Sequence, residues 1–215
     1  PINPTQSKLS TLMPIACVFN NELELPPFFP MGRNQDGAYA YALNACLENS
    51  KLGYLDMAIL HRPVEVRNYH HALNIYQLRI NDLISFIWVE FLKSNRPKGY
   101  QSAAMHFESF ANQEFSIITQ LIQSQINQRI ERINQKINFV KNLSLPAGPE
   151  WILLAEQEIK VLNNYLSTTD YLPIEISHFK QDKKKGQDLT KEWIANYSKL
   201  LFHWKQLRAI SQLPH

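Results

Sequence analysis

The sequence predicts a mostly α-helical protein: a bundle of three to four long helices with a small N-terminal element of mixed β-hairpin and helix. Apolar residues recur at spacings of three and four over most of the chain after residue 63, as on one face of a helix. Residues 101–141 contain neither Gly nor Pro, so they could form one continuous helix, a rod of about forty residues. Strand-like alternation and most of the closely spaced prolines lie in the first sixty residues. We therefore expect a mixed element, residues 1–62, packed on a helical bundle, residues 63–215, in one cooperative domain.

Composition excludes several classes of protein. The 215 residues are 45% hydrophobic, which is enough to bury a core and excludes disorder as the main state. The longest nearly unbroken apolar stretch, Leu83–Leu92, is much shorter than the ~20 residues of a membrane-spanning helix. The first residues show no secretory signal pattern, and two cysteines are too few for a disulfide framework. We expect a cytoplasmic protein that does not contact membranes.

The N-terminal element begins with a predicted hairpin. Ile15–Phe19 is an apolar run, Asn20 and Asn21 fit a two-residue turn, and Glu22–Leu25 alternates polar with apolar residues. A helix over residues 37–49 should follow, capped by Asp36.

Between the hairpin and this helix, three prolines bracket Phe28 and Phe29 in an extended aromatic loop. We favour a lid folded over the core, with an exposed docking element as the alternative, because two phenylalanines in water would be unusual. Tyr54–Leu60 fits either a third strand or the entry to the next helix.

The bundle should contain one long helix, about Val64–Lys93, followed by the rod. The helix is apolar on nearly every side from Leu83 onward, so its second half should lie at the centre of the core. In the rod, Gln101–Asn142, the residues from Ile126 to Val140 repeat at spacings of four, three, four and three, as in a coiled coil. The seam of this repeat predicts a helical partner.

Two more helices should complete the bundle. Leu143–Pro149 contains two prolines and a glycine, and predicts a reversal into a helix over Glu150–Ser167. Thr168–Gln187 should be irregular, with three consecutive lysines in an exposed loop. The final helix should run over about Leu189–Gln212.

Enzymatic and cofactor chemistry find little support. The seven histidines form no His-x-x-x-His pair, which would place two metal ligands on one helix face. Six glycines form neither a dinucleotide-binding nor a phosphate-binding loop, and no nucleophile elbow is present. We assign no catalytic, cofactor or metal-binding residue, and an enzyme is the third of three functional classes.

The first of those classes is a non-enzymatic helical interaction protein, such as an adaptor, a chaperone-like factor or a structural subunit of a protein assembly. Its partner would be another protein or a second copy of itself, with the second copy favoured, because the short helix after the rod cannot cover the whole seam. The candidate contact residues are Phe28, Phe29, Ile126, Ile130, Ile133 and Ile137.

The alternative class is a nucleic-acid-binding helical subunit. Basic residues are concentrated near the C-terminus, interleaved with two tryptophans that could stack on bases. The candidate residues are Lys183, Lys184, Lys185, Lys191, Lys199, Lys205 and Arg208.

Overall fold

The computed structural model describes residues 6–8, 24–47, 51–53, 76–143, 148–168, 170–179 and 181–211. In these ranges the chain forms six α-helices, one short 3-10 helix and one pair of three-residue antiparallel strands. The elements in chain order are β1 (Gln6–Lys8), α1 (Gln35–Cys46), β2 (Lys51–Gly53), α2 (Ile80–Lys93), α3 (Tyr100–Asn112), α4 (Phe115–Leu143), α5 (Gly148–Leu166), the 3-10 helix (Ile174–Phe179) and α6 (Lys183–Ser211).

The predicted bundle of three to four long helices with an N-terminal hairpin is wrong. Apart from the β1–β2 pair, the described residues form an all-helical fold of six helices, and only α4 and α6, at 29 residues each, are long. Glu24 and Leu25 belong to the predicted second hairpin strand, but lie in an irregular segment without strand pairing. The rest of the hairpin, and Tyr54–Leu60, fall outside the described ranges.

The predicted rod is two helices. Gln113 adopts an extended backbone (φ −82°, ψ 166°) between α3 and α4, although neither Gly nor Pro is present there. Glu114 stands before the first turn of α4, where a negative charge is favourable near the positive end of the helix dipole, and its carbonyl accepts a hydrogen bond from the Ile117 amide at 3.0 Å. The break lets α3 pack on α6 while α4 packs on α2 and α5. Packing of two helix segments in different directions has overridden helix propensity here.

The predicted helix over Val64–Lys93 is not continuous, since α2 begins at Ile80 after an irregular segment. Tyr76–Arg79 is irregular, with Arg79 in extended conformation, and the residues from Val64 to Ile75 lie outside the described ranges. Side chains satisfy the first free amides of α2: Asp82 accepts from the Arg79 amide and Glu175 from the Ile80 amide, each at 3.0 Å. Glu175 comes from the 3-10 helix, so a residue distant in sequence fixes this helix start.

The core is centred on α2, as the sequence predicted. Leu83, Ile87 and Trp88 are fully buried there. The Trp88 ring packs at steep angles against Phe107 of α3 and Tyr197 of α6, with centroid distances of 4.8 Å and 6.2 Å. These aromatic contacts join the three helices.

The aromatic loop lies on this core, as expected of a lid. Phe29 is 4% exposed and packs edge-on against Tyr197 with ring centroids 5.2 Å apart. Tyr197 also donates a hydrogen bond to the Pro27 carbonyl at 3.1 Å, and the Trp204 indole donates to the Leu25 carbonyl. Backbone carbonyls that would otherwise face an apolar surface are thereby satisfied by α6.

A buried amide fixes the end of the lid. The Asn81 side chain is fully buried and donates to the carbonyls of Met31 and Arg33 at 2.6 Å and 3.0 Å. Gly32 lies between these carbonyls with φ +75°, and a Cβ there would meet Glu175 Oε1 at 2.8 Å and Ile80 Cγ2 at 2.9 Å. Only glycine fits this conformation and this close approach.

We therefore predict that Gly32→Ala destabilises the fold. The left-handed backbone alone should cost about 1–2 kcal/mol, and the contact with Glu175 and Ile80 should add to it. Gly37→Ala is the matched control, because Gly37 lies in α1 and an added Cβ makes only ordinary contacts with Asn34. The control should leave the free energy of unfolding in urea unchanged or raise it by up to about 1 kcal/mol. Equal effects of both substitutions would contradict the role of Gly32.

A histidine side chain lies within the core. His106 of α3 is 7% exposed and packs between the rings of Phe91 and Phe110. Burial lowers its pKa, and the charge of Arg96 lowers it further, while a backbone hydrogen bond at Ile87 and the charge of Glu90 oppose the shift. The folded protein therefore resists protonation of His106.

The lowered pKa of His106 predicts a loss of stability in mild acid. Above pH ~6.5 the imidazole is neutral in both states, but below it the unfolded chain binds a proton that the folded chain excludes. The free energy of unfolding should then fall with decreasing pH, by at most about 1.4 kcal/mol per pH unit for this one group. His106→Leu should reduce the difference in unfolding free energy between pH 8 and pH 5. An unchanged difference would show that His106 does not cause it.

Candidate interaction surface

The C-terminal half of α4 is far more exposed than its first half. From Phe115 to Ile126 six residues are buried, but from residue 127 to 143 the helix has one buried residue, Ile137. The first half of α5 is similar, since its buried residues up to position 160 are Gly148 and Ala155. We call residues 127–143 and 148–160 together the arm. Its two helices are separated by only four residues of sequence and pack against each other, so they run antiparallel.

An apolar seam and one ion pair hold the arm together. Ile137 is 4% exposed, and Ile130 and Ile133 are half-buried. Arg129 of α4 contacts Glu158 of α5, with Nη2 and Oε1 2.6 Å apart and Nε donating to the same oxygen at 2.9 Å. Arg129 also lies over the Tyr76 ring, 5.9 Å from its centroid, at the base of the arm.

The predicted partner residues are mostly covered within the chain. Ile126, Ile137 and Phe29 are buried, which leaves them little surface to offer. Ile130 and Ile133 are half-buried, and Phe28 is 40% exposed but stacks on Tyr39 with centroids 3.7 Å apart. The exposed surface of the arm lies beside the seam.

That surface is an open groove of about 590 Å³ between α4 and α5. The basic side chains of its α4 wall lie three and four positions apart, so they share one face of that helix. The lining residues of its α5 wall recur at the same spacing. Trp151 and Leu154 are 38% and 39% exposed there. The lining residues are Arg129, Arg132, Ile133, Lys136, Trp151, Leu154, Ala155 and Glu158.

The α4 wall continues to the end of the arm as an apolar strip. Arg132, Lys136, Phe139 and Leu143 follow at spacings of four, three and four and so share one face of α4. Phe139 is 63% exposed and Leu143 is 45% exposed. Large apolar side chains exposed together in this way are typical of a contact surface.

The groove carries uncompensated positive charge. Glu158 is its one acidic residue, and Arg129 already pairs with it. Within the described ranges, Arg132 and Lys136 have no carboxylate at ion-pair distance, and Arg132 donates only to the Gln128 carbonyl at 3.3 Å. The groove therefore combines apolar surface with two available cationic groups.

Sequence reasoning missed this groove because it followed the apolar seam alone. Arg129, Arg132 and Lys136 each lie one position before an isoleucine of the seam. They therefore repeat at the same spacing on the neighbouring face of the helix. Trp151 and Leu154 are likewise three apart. These two patterns can be read from the sequence. Only the pairing of α4 with α5 shows that the two sets of residues face each other.

A second groove, of about 440 Å³, lies between α3 and α6. It is bordered by the exposed side chains of Met105 and Phe202, with Glu108 on one helix and Lys199 on the other. The two opposite charges balance, so this groove lacks the net charge of the arm.

The C-terminal basic residues do not form a single stripe. The three lysines predicted to lie in a loop form the exposed first turn of α6, because Asp182 caps the helix by accepting from the Lys185 amide at 3.1 Å. Lys205 pairs with Glu24 at 2.8 Å, and the Lys185 ammonium lies 5.1 Å from the Phe179 ring centroid. At 100° per residue, the seven basic positions spread over more than half of the helix circumference. They are Lys183, Lys184, Lys185, Lys191, Lys199, Lys205 and Arg208.

Comparisons with known proteins do not add to this geometry. No protein-family model, no curated protein sequence and no solved structure matches the chain. Among the described residues, no group of three or more His, Cys, Asp or Glu side chains could hold a metal ion. None of the helices in those ranges combines the length and the apolarity needed to cross a bilayer.

We predict that the arm opens independently of the core. Ile137→Ala should speed amide hydrogen exchange in residues 127–160, because this side chain is the main buried contact of the arm. Ile118→Ala, in the core half of the same helix, should lower the global free energy of unfolding by about 2–5 kcal/mol and speed exchange throughout. Exchange rates measured by mass spectrometry on both variants test this. Equal acceleration in all helices by Ile137→Ala would show that arm and core unfold together.

Proposed function

We propose that this protein is a non-enzymatic interaction protein, an adaptor or structural subunit of a protein assembly, and that the arm contacts its partner. The observation that carries the proposal is the exposed apolar and aromatic surface of the arm, which runs from the groove to Phe139 and Leu143. Removal of such surface from water contributes about 25 cal/mol per Å², and is the main driving force of protein association.

The side chains of the groove are those that dominate protein interfaces. Trp and Arg are enriched among the residues whose truncation costs most binding energy. Trp151 and Arg132 lie on opposite walls of the groove, so one partner segment could contact both. A helix pair also presents its side chains in fixed positions, which lowers the entropic cost of binding.

Nucleic-acid binding through α6 is the weaker candidate. Affinity for nucleic acid comes from neutralising several phosphates together, which favours basic residues gathered on one face. The spread of the basic residues around α6, and the engagement of Lys205 by Glu24, favour the protein partner.

The apolar end of the arm provides the test. In an extract of the native cell, we expect the protein to elute as a species larger than its 25.1 kDa monomer. Replacing Phe139 and Leu143 by Ser should shift it towards the monomer, while the free energy of unfolding changes by less than about 1 kcal/mol, since both side chains are exposed.

Met105→Ser with Phe202→Ser is the control, because it removes exposed apolar surface from the groove between α3 and α6. This variant should keep the larger species. A monomeric wild-type protein, or loss of the larger species only in the control, would refute the proposed role of the arm. Light scattering on the purified protein distinguishes a second copy from another protein as the partner.

A further inference from the structure

The groove of the arm has the shape of a site for one more helix. It lies between two antiparallel helices, so a third helix placed along it would complete a three-helix bundle. The α4 residues that line the groove, Arg129 to Lys136, span about 10 Å at 1.5 Å per residue, and the exposed strip to Leu143 lengthens this face to about 21 Å, or about four turns of a guest helix.

Its apolar surface sets the pattern of the guest. Ile133 and Ala155 lie between the two walls, and Trp151 and Leu154 border them on α5. A helix bound in such a groove buries side chains at positions i, i+3, i+4 and i+7. The guest is therefore amphipathic, with one apolar face.

The charges set its second property. The ion pair with Arg129 occupies Glu158, so Arg132 and Lys136, one helical turn apart on one wall, are the groove's charges that have no ion-pair partner in the part of the chain that the structure describes. Carboxylates on the guest would lie opposite them and form charge-assisted hydrogen bonds. We infer that the groove between α4 and α5 binds an acidic amphipathic helix of another protein, selected by Arg132 and Lys136. This inference rests on the proposed function.

The same charges argue against a second copy in the groove. A two-fold dimer places the same surface of each copy against the other, and the one carboxylate of that surface, Glu158, is already paired with Arg129, so the groove of a second copy would bring more positive charge and no unpaired acidic group. Like charges juxtaposed across an interface are unfavourable. Anionic membranes also fit less well, because recognition of their surface uses clusters of four to eight basic residues, and this groove offers two free ones.

Two synthetic peptides test the inference. Both are fluorescein-labelled helices with Leu at positions i, i+3, i+4 and i+7; one carries Glu on the flanks of this face, and the other carries Lys there. Fluorescence anisotropy with the full chain should show about tenfold or more tighter binding of the Glu peptide, and this preference should weaken as salt is added.

Charge reversal identifies the residues responsible. Arg132→Glu with Lys136→Glu should reverse the preference, so that the Lys peptide binds more tightly than the Glu peptide. Lys141→Glu with Lys160→Glu is the matched control: both lysines are exposed on the arm, the net charge changes equally, and neither lines the groove. This control should keep the preference for Glu, and Trp151→Ala should weaken binding of both peptides. Circular dichroism checks that each variant keeps its helices.

Three outcomes of the binding measurements would overturn the inference. They are equal binding of the two peptides, an equal loss of preference in the control, and binding of duplex DNA or phosphatidylserine vesicles that depends on Arg132 and Lys136 while no peptide binds. An assembly in cell extract that is lost from the Phe139 and Leu143 variant, without any peptide preference, would leave the arm as the contact and refute only the acidic helix. A dimer of the purified protein that dissociates in the charge-reversal variant would instead place a second copy in the groove.

Discussion

The edge-on packing of Trp88 against Phe107 and Tyr197 is the contact on which the rest of the fold depends. It joins α2, α3 and α6 through rings that are fully or almost fully buried. Aromatic side chains bury large areas and prefer this edge-to-face geometry. Tyr197 extends the contact outward, because its ring packs on Phe29 and its hydroxyl bonds to Pro27. The position of the lid therefore follows from that of the aromatic cluster.

The division of α4 between core and arm follows from the same packing. Its first half supplies Ile118, Ile122 and Ile126 to the core, whereas its second half finds its main cover in α5. Stability in such a molecule is uneven, since a segment with few buried contacts opens more easily than the centre.

The ion pair between Arg129 and Glu158 affects the charge pattern of the groove more than the stability of the fold. Both side chains are partly exposed, and pairs of this kind contribute between about 0 and 1 kcal/mol. Its larger effect is on the charge pattern, because it engages the one acidic group of the groove and leaves Arg132 and Lys136 without a carboxylate partner in the described ranges. The groove is cationic as a result, even though the net charge of the whole chain is only +3.

The sequence by itself determined the helical character of the chain, the central place of Leu83–Leu92 in the core, the reversal before α5 and the apolar seam of α4. These features depend on local periodicity, which is written in neighbouring residues. Tertiary structure decided the break at Gln113, the start of α2 at Ile80 and the facing of Arg132 and Trp151 across the groove. Each of these depends on a residue from another element: α3 and α4 turn apart to reach different neighbours, Glu175 fixes the start of α2, and α5 places Trp151. Packing between distant residues contributes more free energy than local helix propensity, which is less than about 1 kcal/mol per residue. Local sequence patterns therefore could not reveal these three features.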